Sequence, residues 1–247
     1  MNKTRPFAAV AAVALSAGLV ACGSGGGSSK SSSASSQGNG YIKPENFVRT
    51  VDNPYFPLKP GTTLRYRGLK DGKPTIDVFT ITSRTKDILG VPATVVHDAL
   101  YDNRGHLVED TFDWYGQDKR GNVWYLGEGT KELDSKGHVT SREGSWQTGV
   151  NGAVAGIFMP ARPKVGQSFR QEYYKGHAED HFKILSLKTS VKVPALSSRE
   201  AMLTQETTPL EPGVVDHKYY VQGIGTVDEK TVKGGTEYNI LTSVTKP

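Results

Sequence analysis

The sequence predicts an all-β fold, an antiparallel meander arranged as a β-sandwich or a curved half-barrel. Three observations predict it. Runs rich in Val, Ile, Thr, Tyr and Phe recur from Tyr41 onward. Asp-Gly, Pro-Gly, Gly-Gly and Asn-Arg-Gly punctuate them at short intervals. No stretch of useful length carries the 3.6-residue apolar period of a helix.

Strands are expected at about 62–69, 75–83, 92–101, 106–116, 122–128, 167–174, 178–190, 198–207, 214–222, 225–232 and 236–244. The second shows the reasoning. In Thr75–Thr82, Ile76, Val78 and Thr80 share one face, and Asp77, Phe79 and Ile81 share the other. Between strands, the pattern Asp-x-[Arg/Lys]-Gly-[His/Asn]-[Leu/Val] occurs at Asp102–Leu107, Asp118–Val123 and Asp134–Val139. Asp forms an Asx turn and Gly accepts a positive φ, so three similar hairpin tips are expected.

A longer period of about 102–105 residues is also present. Phe56-Pro57 through Arg65 matches Met159-Pro160 through Arg170. Phe79/Phe182, Val91-Pro92-Ala93/Val193-Pro194-Ala195, Tyr115/Tyr220 and Gly121/Gly225 follow in the same order. Units of this size are marginal alone, so residues 41–247 are expected to form one domain of two repeats, about 54–158 and 159–245.

The first forty residues read differently. Lys3 and Arg5 precede the apolar stretch from Phe7 to Ala21, which is too short to span a bilayer and matches a signal peptide over 1–21. The stretch ends Leu19-Val20-Ala21-Cys22-Gly23, which resembles the lipobox of bacterial lipoproteins. The resemblance implies cleavage before Cys22 and attachment of acyl chains such as palmitate at that residue, giving a membrane anchor. Residues 23–40 hold six Gly and eight Ser. A flexible linker of that length reaches roughly 23 Å. Cys22 is the one cysteine of the chain, so neither an internal disulfide nor a Cys-ligated zinc site is available.

Charge excludes one class of partner. After residue 21, 28 basic residues face 25 acidic ones, a net +3 spread along the chain. A nucleic-acid binder is not expected. There is no P-loop, GxGxxG turn or nucleophile elbow in the folded part, so no cofactor is predicted.

Two constellations carry candidate chemistry. On a strand, His177, Glu179 and His181 would share a face and offer metal ligands. Asp113, Trp114, Tyr115, Gln117, Trp124, Tyr125, Glu128 and Trp146 concentrate aromatics beside carboxylates and amides, a candidate ligand platform. Glu109, Thr111, Asp113, Tyr115 and Gln117 fall on one face of their strand, Phe112 and Trp114 on the other. The Gly-rich segment Gly144–Pro160 reads as a connection between halves.

The segments Asn53-Pro-Tyr-Phe-Pro-Leu58, Asp113-Trp-Tyr-Gly-Gln-Asp118, Gly121-Asn-Val-Trp-Tyr125, Ser145-Trp146 and Gly156-Ile-Phe-Met-Pro160 resemble a group of bacterial secreted and lipid-anchored proteins of unassigned function. The likeness covers about residues 45–245 and implies an extracytoplasmic all-β domain without known catalytic residues. A broader likeness is to envelope lipoproteins whose half-barrels carry lipids. The resulting expectation is a non-enzymatic, lipid-anchored envelope protein that binds an apolar or amphipathic ligand or an envelope protein. The alternative is a hydrolase of envelope glycans or phosphoesters, working through His177, Glu179 and His181 or through Asp113, Asp118 and Glu128.

Overall fold

A computed structural model describes residues 42–247. The leader, Cys22 and the Gly/Ser linker lie outside them. No α-helix occurs among the described residues; a 3-10 turn at Pro44–Asn46 is the sole helical element there. The strands are β1 (Phe47–Val48), β2 (Thr63–Lys70), β3 (Lys73–Ile88), β4 (Val91–Asp102), β5 (Leu107–Asp118) and β6 (Val123–Gly129). Short pieces follow at β7 (Glu132–Leu133), β8 (Val139–Ser141) and β9 (Trp146–Gln147). Then come β10 (Val154–Met159), β11 (Ser168–Arg170), β12 (Glu172–Tyr173), β13 (His181–Val193) and β14 (Leu196–Thr207). The chain ends with β15 (Val215–Val221), β16 (Gly225–Lys233) and β17 (Tyr238–Thr245).

All of these strands pair antiparallel. β2 to β6 form one meander and β13 to β17 another. β17 pairs with β2, joining the two on one side. On the other side β6 pairs with β10, β10 with β12, and β11 with β13. β11 and β12 are one strand interrupted at Gln171, whose N–H instead donates to the Asp180 carbonyl. The expected all-β fold is therefore present, and its curvature exceeds a half-barrel. The sheet nearly closes on itself, at a seam where residues 168–170 pair with β13 and 172–173 with β10. Closure removes free sheet edges, which would otherwise invite pairing with other chains.

Strand alternation then sorts residues into an interior and an exterior. Tyr115, Tyr125, Phe158, Phe182, Ile184, Met202 and Tyr220 belong to one buried cluster. Leu64, Tyr66, Ala201, Val227 and Leu241 belong to a second. A third cluster, Ile88, Val91, Ala93, Leu126 and Ala155, uses the opposite faces of β4, β6 and β10. Its cover is the end of the β3–β4 hairpin and the N-terminal residues Ile42 and Phe47.

The three tips share one geometry. In each, the Asp carboxylate accepts from the backbone N–H two and four residues on. Arg104 and His106 donate to Asp102, Arg120 and Asn122 to Asp118, Lys136 and His138 to Asp134. The fifth side chain of each motif, His106, Asn122 or His138, contacts the second oxygen. Asp118 is the buried member and also accepts from the Trp124 indole at 3.2 Å. Asp118→Ala is expected to cost about 2 kcal/mol. Asp134→Ala, at an exposed tip backed by fewer bonds, is expected to leave the unfolding midpoint close to that of the parent. Chemical denaturation of the two variants checks this; equal losses would contradict it.

Some repeat anchors take equivalent positions and one does not. Gly61 N–H donates to Ile81 and Ile81 N–H to Thr62, just as Gly166 N–H donates to Ile184 and Ile184 N–H to Gln167. Leu64 pairs with Phe79 as Phe169 pairs with Phe182. Val91, however, begins β4, whereas Val193 ends β13. We propose the duplication on the first set of matches, without the Val-Pro-Ala anchor.

Candidate functional site

The aromatic and acidic platform divides between the two faces of the sheet. Asp113, Tyr115, Gln117, Tyr125, Glu128 and Trp146 are buried. Tyr115 stacks on Tyr125 at 4.9 Å, and Tyr125 meets Trp146 edge-on at 5.3 Å. The Tyr125 hydroxyl donates to Asp113 at 2.6 Å. Asp113 lies directly opposite Glu128 across β5 and β6. Asp118 is separated from both, at the far end of β5, so the three carboxylates of the hydrolase alternative do not converge. Asp113 and Glu128 are 0 % and 2 % exposed. A glycan cannot reach them while the barrel is closed.

Gln117 has a structural task. Its amide oxygen accepts from Asp52 and Asn53 N–H, and its NH₂ donates to the Asp52 carboxylate at 2.6 Å. Asn53 in turn donates to the carbonyls of Gly121 and Pro160. Four of the motifs that carry the family resemblance thus meet at one latch, which fixes the Val51–Leu58 loop against β5, β6 and β10.

The interior is acidic as well as aromatic. Lys70 pairs with Glu109 at 2.6 Å, and Lys218 with Glu206 at 2.8 Å and Glu229 at 3.4 Å. Asp77, Asp98, Asp113, Glu128, Glu172 and Asp180 are buried carboxyls as well. Burial, then the neighbouring carboxylates, push Glu128, Glu172 and Asp180 well above the usual carboxylate range. Burial pushes Asp113 up to about 7, against the Tyr125 hydrogen bond. Burial, then Asp77, raises Asp98, and burial raises Asp77 as well. A small cavity of about 60 Å³ remains beside them, with Tyr66, Asp77, Asp98, Lys218, Glu229 and Asn239 as its polar wall and Phe56, Leu64, Phe79 and Phe158 as its apolar one. That is room for a few waters, not for a lipid.

Trp114 and Trp124 lie on the outer face. Lys86 Nζ sits 3.1 Å from the centre of the Trp114 ring, a cation–π contact. Burial lowers the Lys86 pKa. Trp124 packs 6.2 Å from Phe47, which β1 brings alongside the end of β5. Lys119 N–H donates to the Asn46 carbonyl at 2.7 Å and holds the N-terminal segment in place. Between these groups lies a hollow of about 300 Å³ with Ile42, Phe47 and Trp124 on its apolar side and Lys43, Lys119, Arg120 and Asp118 on its charged side, Asp118 pairing with Arg120 at 3.7 Å. An adjoining hollow of about 650 Å³ is lined by Ile42, Pro44, Leu89, Ala153 and Val154 among others.

The His cluster does not adopt the expected strand geometry. β13 begins at His181; His177 ends the turn 175–177 closed by the Tyr174–Ala178 bridge, and Glu179 and Asp180 are irregular. His177 Nδ1 contacts Glu143 at 2.7 Å, Glu179 accepts from Gly176 N–H, and His181 Nδ1 contacts the Glu179 carbonyl. Without strand alternation the three side chains do not share a face. Among the described residues no three His, Cys, Asp or Glu side chains are placed to hold a metal ion.

The residues missed from sequence are Ile42, Lys43 and Phe47. Their segment is a 3-10 turn and a two-residue strand, too short for periodicity to register. Two apolar residues isolated just after a Gly/Ser tract are the available signal.

Comparison with protein-family models finds no match, nor does comparison with curated proteins. Two solved structures are similar in shape. One is a protein proposed to be exported, with a YmcC-like fold, from Bacteroides fragilis NCTC 9343 (16 % identity, TM-score 0.46). The other is a proposed lipoprotein from Parabacteroides distasonis ATCC 8503 (10 % identity, TM-score 0.41). Each match covers 78 % of this chain and 99 % of the other.

Proposed function

We propose that this is a lipid-anchored, extracytoplasmic envelope protein that acts by binding rather than by catalysis. Its site is the outer hollow beside Trp124, and its ligand is amphipathic with an anionic head. The observation that carries this reading is the contrast between the two spaces. The inner cavity beside Asp77 and Asp98 holds about 60 Å³, whereas the outer hollow offers about 300 Å³ with an apolar floor and three cationic side chains against one carboxylate, Asp118. Ile42, Phe47 and Trp124 suit an acyl or ring system, and Lys43, Lys119 and Arg120 suit a phosphate or carboxylate. The anchor follows from the lipobox at Cys22.

Native mass spectrometry of the full chain, purified from membranes in mild detergent, tests both parts. A diacylglyceryl mass at the N-terminus that is lost in Cys22→Ser supports the anchor. A second, releasable mass supports the ligand. Lys119→Glu with Arg120→Glu is expected to reduce occupancy of that second mass about tenfold, the loss of roughly 1.4 kcal/mol of charge attraction. Unchanged occupancy would overturn the assignment of the hollow.

A further inference from the structure

We infer that the face carrying Leu89 and Val150 rests on the surface of the bilayer that holds the acyl chains. This rests on the anchor reading of Cys22.

Among the described residues, three two-residue turns place a non-glycine residue and the glycine after it at positive φ. Two use the residue types such turns favour, Asp71-Gly72 (φ 51° and 72°) and Asn151-Gly152 (φ 51° and 81°). The third is Leu89-Gly90 (φ 52° and 82°). A leucine has no local hydrogen bond to offset the left-handed conformation, and its Cβ and branched side chain disfavour it. Nor does burial offset the strain, because Leu89 is 53 % exposed. A strained apolar residue held out in water at a tip is a feature the isolated fold does not need.

Its neighbours extend the same surface. Gly149 lies under the Leu89 side chain, so that an added Cβ would sit 3.1 Å from it, and Gly90 abuts Pro44. Val150, next to Gly149, is 46 % exposed. Leu89, Val154, Ile42 and Pro44 share the lining of one hollow. Lys43 borders this hollow and the adjoining one, where Lys119 and Arg120 add positive charge. Glu45, Asp87 and Asp118 are the acidic residues nearby; Asp87 caps the hairpin by accepting from Gly90 N–H, and Asp118 pairs with Arg120 at 3.7 Å, leaving Lys43 and Lys119 as the remaining cations of the border. An apolar tip with a cationic border suits an anionic lipid surface.

The position of the chain selects this occupant. The described residues begin at Ile42, within this face. The Gly/Ser tract of residues 23–40 leads back to Cys22. This face is thus the part of the barrel the tether holds nearest the lipid.

The experiment uses the full lipidated chain reconstituted into vesicles of phosphatidylcholine with a minority of phosphatidylglycerol. Lipids brominated on their acyl chains quench tryptophans that lie close to them, and Trp114 and Trp124 flank this face. Emission is expected to fall roughly twofold if the apolar tip enters the headgroup boundary by the depth usual for interfacial residues. Leu89→Asn is expected to abolish most of the quenching while melting no lower than the parent, since Asn suits the turn. Val150→Asp adds to the loss, and Val232→Asp, near the β16–β17 turn that meets Asp71 at the other end of β3, leaves quenching unchanged. A chain that floats with vesicles but is not quenched, or a Leu89→Asn variant quenched as strongly as the parent, overturns the docking and leaves the anchor intact. A chain that fails to float overturns the anchor, and the docking falls with it.

Discussion

Gly156→Ala is expected to abolish cooperative folding, or to lower stability by more than about 3 kcal/mol, the upper range for overpacking a dense site. Gly156 lies on β10, between Tyr125 of β6 and the interrupted strand β11–β12. A Cβ there would run into the Arg170 carbonyl and the Gln171 backbone. These are main-chain atoms at the place where the barrel closes, so they cannot rotate aside. Relief would require β12 to leave β10 and reopen the sheet. Gly116→Ala in β5 is the internal comparison. Its Cβ would meet the ends of Val91, Leu126 and Phe47 at 3.0–3.2 Å, all side-chain atoms. That variant is expected to fold with a loss of about 1–2 kcal/mol. Urea titration followed by circular dichroism separates the two; a wild-type midpoint for the Gly156 variant would show that the seam is not tight.

Raising the pH from about 5 to 8 is expected to destabilise the barrel. The sign follows from the direction of the shifts. Burial pushes Asp113 up to about 7 from 3.8, and Glu229 up to about 8 from 4.5 with Lys218 opposing. Between those limits the folded chain holds protons that the unfolded chain has released. The stabilisation is complete below the unfolded pKa and is lost as pH rises through the folded one. Each group contributes about 1.4 kcal/mol per pH unit within its window. Glu128, Glu172, Asp98 and Asp180 are raised as well and act in the same sense. His217, lowered by burial and Lys230, acts in the opposite sense. At Asp102 desolvation is outweighed by hydrogen bonds from His106 and the backbone, which hold it at about 2, outside the range. Melting curves at several pH values are expected to show the highest midpoint near pH 5. Asp113→Asn, which keeps shape and an acceptor for Tyr125, should flatten the slope by about one proton and raise stability at pH 8. A midpoint that rises with pH in the parent protein would contradict this account.

β2 and much of β3 and β5 are legible in the sequence because one face is in the barrel and one outside, so polarity alternates. β4 and β6, buried on both faces, are marked instead by β-branched and aromatic residues between turn signals. β10 is not, because Ala155 to Met159 are buried on both faces: Phe158 and Met159 serve the interior, Ala155 the outer cluster. It therefore reads as an apolar connection. Alternation also places Asp113, Tyr115 and Gln117 on one face correctly. Which face is the interior depends on the pairing of β17 with β2 and of β10 with β12, contacts between distant segments that no local pattern encodes. For the same reason the ligand platform reads as one surface from sequence, although the closed sheet divides it. The outer hollow is half legible. Trp124 stands out as a candidate and Lys119 and Arg120 lie in the Asp118–Val123 tip, but no local pattern places Lys43 and Phe47 beside them.

The pairing of the first long strand with the last has a kinetic consequence. Thr63 meets Thr245, so the polypeptide cannot complete its cylinder until nearly its whole length is available. Contacts of such sequence separation form slowly, since a long loop must close before they return any free energy. An emerging N-terminal half has two unsatisfied margins, one at β2 and one at β6, and its final topology waits for the C-terminus. Slow topological completion keeps a chain threadable. For the envelope protein proposed above, that delay would be an advantage during passage through a narrow pore, and its cost is a period of exposed β-margins during which a holding chaperone would be most useful.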